Sequence, residues 1–218
     1  MDILLIHGLG RTPLSMWSMG QALKKAGHAP TFFSYTTLTE SFDEIVARLR
    51  DRLQRLSQTA PYGVVTHSMG GVLLRAALTP LKNRQDDSRS PNATSRTFHL
   101  PVHVVMLAPP NQSPKIARIA NHLPPFQWFA GQSGQNLASP TFYAELAPLR
   151  CPYTIVVGTV GPTGRWSPFG ADENDCVVSA AESKMYTDDD LIAVSCPHSF
   201  IMNNKAAQEA AVEAFSSD

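Results

Sequence analysis

Three side chains far apart in the chain have the types needed to attack a carbonyl carbon: Ser68, Asp175 and His198. A serine hydroxyl is a weak nucleophile near neutral pH unless a base takes its proton. A neutral imidazole has the intrinsic pKa to accept that proton and later return it to a leaving group. His198, in the loop after the last strand-like run, is the candidate base. The imidazolium formed in this way needs a carboxylate that fixes its tautomer and offsets its charge. Asp175 is the best placed, late in the loop that precedes His198, with Asp172 and Glu173 competing for the role. The other histidines fit plainer readings: His28 and His122 at the surface, His99 and His103 on a strand and its approach, His67 pointing into a turn.

The stretch that must expose the serine is Tyr62-Gly63-Val64-Val65-Thr66-His67-Ser68-Met69-Gly70-Gly71. A short apolar run reads as a strand, and Val72 to Leu78 after the glycines reads as a buried helix. A serine on a sharp strand-to-helix turn stands above the sheet edge, and the residue two places later must be small because helix and strand approach closely there. Gly70 meets that demand. The Met69 amide, at the start of the helix, points toward the same spot and is a candidate donor to a developing oxyanion. The plainer reading is a serine that only caps the helix.

Further elements set this turn in a larger frame. Apolar or β-branched runs at 3–6, 31–35, 62–67, 102–107, 153–157 and 191–195 read as six strands. Ser15 is positioned to cap a helix over 16–26, and Ser41-Phe42-Asp43-Glu44 has the form of a capping box. The helix it opens carries Phe42, Ile45, Val46, Leu49, Leu53 and Leu56 on one stripe. An Ala-rich helix over 204–215 closes the chain. Strands alternating with helices predict an α/β fold: an open, mainly parallel six-stranded sheet with helices on both faces. The loops after Ile6, His67, Val157 and Ser195 then leave the same edge, where open α/β sheets bind ligands.

The 218 residues are 43% hydrophobic, which predicts a single domain, 1–218, with a substantial core. Acidic and basic side chains balance at 18 each, so no net field favours nucleic acid. Three cysteines without metal-type spacing argue against a disulfide framework or a zinc site, and nothing calls for an organic cofactor. No run approaches the roughly 18 apolar residues of a membrane span. The expectation is a cytoplasmic protein without an integral membrane segment; nothing in the pattern bears on oligomeric state. Residues 82–97 read as a polar loop, and 110–149 as an apolar, proline-broken insertion placed to act as a lid. Phe126, Trp128, Phe129 and Trp166, with Phe169, are candidate substrate-binding residues for an acyl group.

The order Ser, Asp, His, together with His7-Gly8-Leu9-Gly10, Thr66-His67-Ser68-Met69-Gly70-Gly71, Asn174-Asp175-Cys176-Val177-Val178 and Pro197-His198-Ser199, resembles the α/β-hydrolase superfamily. The likeness is to small lipases and esterases and to the inositol deacylase-type hydrolase domain, and it runs over nearly the whole chain. It implies a minimal hydrolase fold with a lid after the fourth strand and no strands ahead of Ile3. In those families an Asn-Asp-Gly-x-Val segment carries the acid, which favours Asp175. The resemblance also implies that the Leu9 amide joins that of Met69 in an oxyanion hole. Two departures stand out: Thr66 where Gly or Ala is usual, and Cys176 in place of the Gly of the acid loop. The implied activity is cleavage of a small-molecule or lipid carboxylic ester. A thioesterase, an acyltransferase or a non-catalytic module retaining the fold are the alternatives.

Overall fold

The structure is a computed structural model that describes residues 1–79, 99–120 and 133–216. Strand β1 (Asp2–Ile6) is buried on both faces. Its side chains alternate, with Leu4 and Ile6 packed in one apolar cluster and Ile3 and Leu5 in the other. That is the pattern of a strand held between two helical layers.

Five further strands follow: β2 (Ala29–Phe33), β3 (Tyr62–His67), β4 (Val104–Leu107), β5 (Tyr153–Gly158) and β6 (Leu191–Val194). They form one sheet in the order β2-β1-β3-β4-β5-β6, and every pairing is parallel. From β1 the chain first moves outward to β2, then crosses back to β3 and runs on to the other edge. The winding therefore reverses between β1 and β3, which makes the C-terminal ends of these two strands the natural crevice.

Helices α1 (Trp17–Lys25) and α7 (Lys205–Ala214) cover one face, burying Met19, Leu23, Ala207 and Ala211 against Ile3 and Leu5. Helices α2 (Phe42–Ser57) and α3 (Met69–Leu78) cover the other. The stripe expected on α2 is buried from Phe42 to Leu56, and each such side chain contributes roughly 1.5–3 kcal/mol. The capping box is complete: Ser41 Oγ accepts from the Glu44 amide, and the Glu44 carboxylate accepts from the Ser41 amide.

Some local expectations shift, and β4 begins two residues later than expected. Ser15 caps no helix; it lies in a 3-10 turn, Pro13–Met16, started by Pro13, and its hydroxyl donates to the Thr12 carbonyl. The second strand lies two residues earlier than expected. Pro30 is tolerated within it because β2 is an edge strand. Tyr35, freed from the sheet, donates its hydroxyl to the His7 carbonyl.

The chain between β4 and β5 includes the short helices α4 (Lys115–Ala120) and α5 (Pro140–Glu145), and Leu137, Tyr143, Leu146 and Leu149 pack into the main core. A short helix, α6 (Ala180–Ser183), precedes β6. The expected polar loop over 82–97, His122 and the aromatic residues Phe126, Trp128 and Phe129 lie outside the described residues. Among the described residues no helix is long and apolar enough to cross a membrane.

Candidate active site

Ser68 joins β3 to α3 with φ 51° and ψ −124°, a backbone conformation that L-residues rarely adopt. The turn holds because its surroundings leave no alternative. The Ser68 amide donates to the Leu107 carbonyl at 2.9 Å, and a methyl group on Gly70 would lie 2.6 Å from the Ile6 carbonyl oxygen. The unusual Thr66 is accommodated one turn into the helix. A methyl group on Gly71 would sit 3.3 Å from Thr66 Oγ1 and 2.8 Å from the Met106 methyl carbon, so the second glycine supplies the room that Thr66 uses.

His198 begins a 3-10 turn, His198–Asn203, after β6. Its Nε2 lies 2.9 Å from Ser68 Oγ and its Nδ1 lies 2.6 Å from Asp175 Oδ2. A carboxylate oxygen only accepts, so Nδ1 carries the proton and Nε2 is free to accept from the serine hydroxyl. Asp175 is buried, and its Oδ1 accepts the Val177 amide at 3.0 Å and the Val178 amide at 2.8 Å. Its backbone carbonyl accepts the His198 amide at 2.9 Å, tying the two loops together. Asp172 and Glu173 are exposed; Asp172 faces Lys115 at 3.5 Å, and neither touches His198.

Cys176 has φ 81°, in the left-handed region, which explains why a glycine suits this position. Cys176→Gly is expected to raise the stability of the protein by roughly 1 kcal/mol, read as a higher midpoint in urea unfolding.

His67 does more than point into the turn. Its ring is buried 5.0 Å from the His198 ring, and its Nε2 lies 3.1 Å from the His198 carbonyl. A carbonyl only accepts, so Nε2 carries the proton and the ring braces the His198 loop. Burial, and next the nearby His198, hold the His67 pKa well below the usual histidine range. His7 is stacked on Tyr35 with ring centres 4.1 Å apart, and its Nδ1 bonds the Gly8 carbonyl at 2.9 Å, shaping the loop that presents Leu9. His28 is half-buried against Phe215, and His103 bonds Thr154 Oγ1 at 2.9 Å. The Met69 amide, first in α3, has no partner within its helix. Among the described residues the Leu9 amide donates to no backbone carbonyl.

Ser68, His198 and Leu9 open into a cavity of about 220 Å³ whose walls include Ile116, Ala117, Leu137 and Val177. Trp166 is not part of it: its side chain is 90% exposed, with Arg165 over the ring at 5.1 Å. Phe169 is buried elsewhere. A larger depression of about 630 Å³, lined by Arg75, Tyr143 and Glu182 among others, contains none of Ser68, Asp175 and His198. There the buried Arg75 guanidinium is held by the carbonyl oxygens of Asn111, Leu146 and Ala147 and acts as a clamp on α3. Among the described residues no cluster of three or more His, Cys, Asp or Glu is arranged to hold a metal ion.

A doubly wound parallel sheet with a serine turn at its switch point defines an α/β-hydrolase architecture. A model of the alpha/beta hydrolase family matches residues 3–211, and the chain belongs to that family. The fold is shared with the phospholipase PlaB from Legionella pneumophila, at 16% identity and TM-score 0.61 over 85% of this chain and 46% of that one. The chain thus spans less than half the length of that phospholipase. An extracellular alpha/beta-hydrolase from a Paenibacillus species matches at 16% identity and TM-score 0.60, with 98% of each chain covered. The thioesterase RedJ from the prodiginine biosynthetic pathway in Streptomyces coelicolor matches at 14% identity and TM-score 0.52, over 100% of this chain and 89% of that one. At such identities the likeness is one of fold. No curated protein sequence matches.

Proposed function

We propose that the protein is a serine hydrolase that cleaves carboxylic esters of small molecules or lipids through an acyl-enzyme. The observation that carries this reading is the pair of hydrogen bonds running from Ser68 Oγ to His198 Nε2 at 2.9 Å and from His198 Nδ1 to Asp175 Oδ2 at 2.6 Å. His198 Nε2 takes the hydroxyl proton as Ser68 Oγ bonds to the ester carbon. The displaced electron pair moves onto the carbonyl oxygen, where the Leu9 and Met69 amides meet the charge. Collapse of the tetrahedral species breaks the bond to the alcohol, which departs with the proton from Nε2. Water then gives a proton to Nε2 and attacks the acyl carbon, and Ser68 recovers its proton as the acid leaves. Asp175 keeps Nδ1 protonated throughout and offsets the imidazolium charge. The apolar cavity wall favours acyl groups of short or medium length.

The test is covalent. A fluorophosphonate probe is expected to label Ser68, and His198→Ala or His198→Gln is expected to abolish labelling while the protein still unfolds cooperatively. Failure of the parent protein to react would identify a non-catalytic module and overturn the reading.

A further inference from the structure

We propose that this site selects esters whose alcohol half carries an anionic group, a carboxylate or a phosphate, which Arg11 binds together with neighbouring threonine hydroxyls. The proposal rests on the ester-hydrolase reading above and names its substrate class.

The strand order sorts the crevice into two chemically different halves. Ser68 stands at the end of β3, and β4 and β5 lie to one side of it. The segments that follow those strands supply Pro110, Ile116, Ala117 and Val177, an apolar wall suited to the acyl chain. On the other side lie β1 and β2, whose following loops carry Arg11 and Thr12, and Thr36 and Thr37. An ester seated over Ser68 with its acyl chain on the β4 side directs its alcohol toward Arg11.

Among the described residues that line the Ser68 cavity, Arg11 alone bears a full charge. It also lines an adjoining depression of about 160 Å³ with Gly10, Thr12, Thr36 and Thr37. Arg11 therefore lies on the divide between the reacting serine and a small hollow lined by three threonines. Among the described residues no carboxylate pairs with it. The acid nearest in sequence on the β2 side, Glu40, is already bound by Arg48 and the Thr36 amide. Thr36 Oγ1 accepts the Leu38 amide, which leaves its own proton to donate. The Arg11 charge is felt at the base of the cavity, where it adds to the causes that keep His67 neutral. A forked cation beside threonine hydroxyls matches a planar carboxylate or a phosphate, whereas a neutral alcohol accepts a hydrogen bond from it but offers no countercharge.

Two matched pairs of butanoate esters test the proposal: monobutanoyl glycerol 3-phosphate against monobutanoyl glycerol, and butanoyl glycolate against ethyl butanoate. For at least one pair the ratio of kcat/KM, anionic to neutral, is expected to be about tenfold or more in the parent protein. It is expected to fall to about one in Arg11→Gln and to shrink in 1 M salt, because the cation is exposed. The pair that shows the larger ratio identifies the anion. A ratio near one for both pairs, or one that survives Arg11→Gln, overturns the proposal while leaving the ester-hydrolase reading intact. If none of the four esters is cleaved, that reading fails, and binding decides the subsite alone. Calorimetry with glycerol 3-phosphate and with glycolate should then show binding at least about tenfold weaker in Arg11→Gln than in the parent protein. Equal binding, or none, rules the subsite out.

Discussion

Ser68→Ala is expected to lower turnover of a p-nitrophenyl ester by roughly four to six orders of magnitude while the protein stays folded. The substitution deletes the atom proposed to attack and leaves His198, Asp175 and the two amides in place. Residual catalysis can then come only from orientation and oxyanion stabilisation of direct water attack. Thermal unfolding separates this loss from misfolding. The strain at φ 51° arises from the Cβ, which alanine keeps, so the melting temperature should stay near that of the parent. Ser68→Gly removes the Cβ. It should be equally inactive yet more stable by about 1 kcal/mol, the difference between relieved strain and the greater entropy that glycine loses on folding. Hydrolysis at the parent rate by either variant would remove Ser68 from the chemistry.

Legibility in the sequence followed the range of the interactions involved. Strand β1, the Ser68 turn and the α2 capping box are set by neighbours a few residues apart, and each lies where the residue pattern predicts. Ser68, Asp175 and His198 come within hydrogen-bonding distance because each follows a strand of one parallel sheet, and all such loops leave the same edge. The strand order itself is a tertiary fact, and so is the division of the crevice into apolar and cationic halves. Trp166 shows the limit on the substrate side. Burial is favoured by apolar area without direction, so an aromatic residue in the right loop carries no information about which way its ring turns. Arg11 and Tyr35 were invisible for the converse reason. Their importance comes from neighbours on β1, β2 and β3 that no local pattern joins to them. The two departures from the family pattern divide in the same way. The bulk of Thr66 is met by space at Gly71, across the turn, while its buried hydroxyl has no partner among the described residues; Cys176 leaves its cost in its own backbone angle.

Asp175→Asn is the second substitution with a large expected effect, a fall in kcat of about ten-thousandfold. Its cause can be traced to two backbone amides. Val177 and Val178 both donate to Asp175 Oδ1, at 3.0 and 2.8 Å. An asparagine at this position must keep its carbonyl oxygen there, since turning the amide would set its NH2 against two donors, one buried and one part-buried, at a cost of roughly 1–3 kcal/mol. The side-chain nitrogen is then forced toward His198 Nδ1, where the carboxylate now lies at 2.6 Å. As a donor it makes Nδ1 the accepting nitrogen, so the imidazole proton moves to Nε2 and points at Ser68 Oγ. A ring in that tautomer cannot take the serine proton. The fold should be nearly unaffected, because the amide bonds and the packing are retained. Asp175→Ala gives the discriminating comparison: it strands both amides and should lower the unfolding midpoint as well as the rate, yet it imposes no tautomer on His198. A pH–rate profile over both variants measures the difference. If Asp175→Asn retained more than about a tenth of the parent kcat, the orienting role assigned to Asp175 would fall.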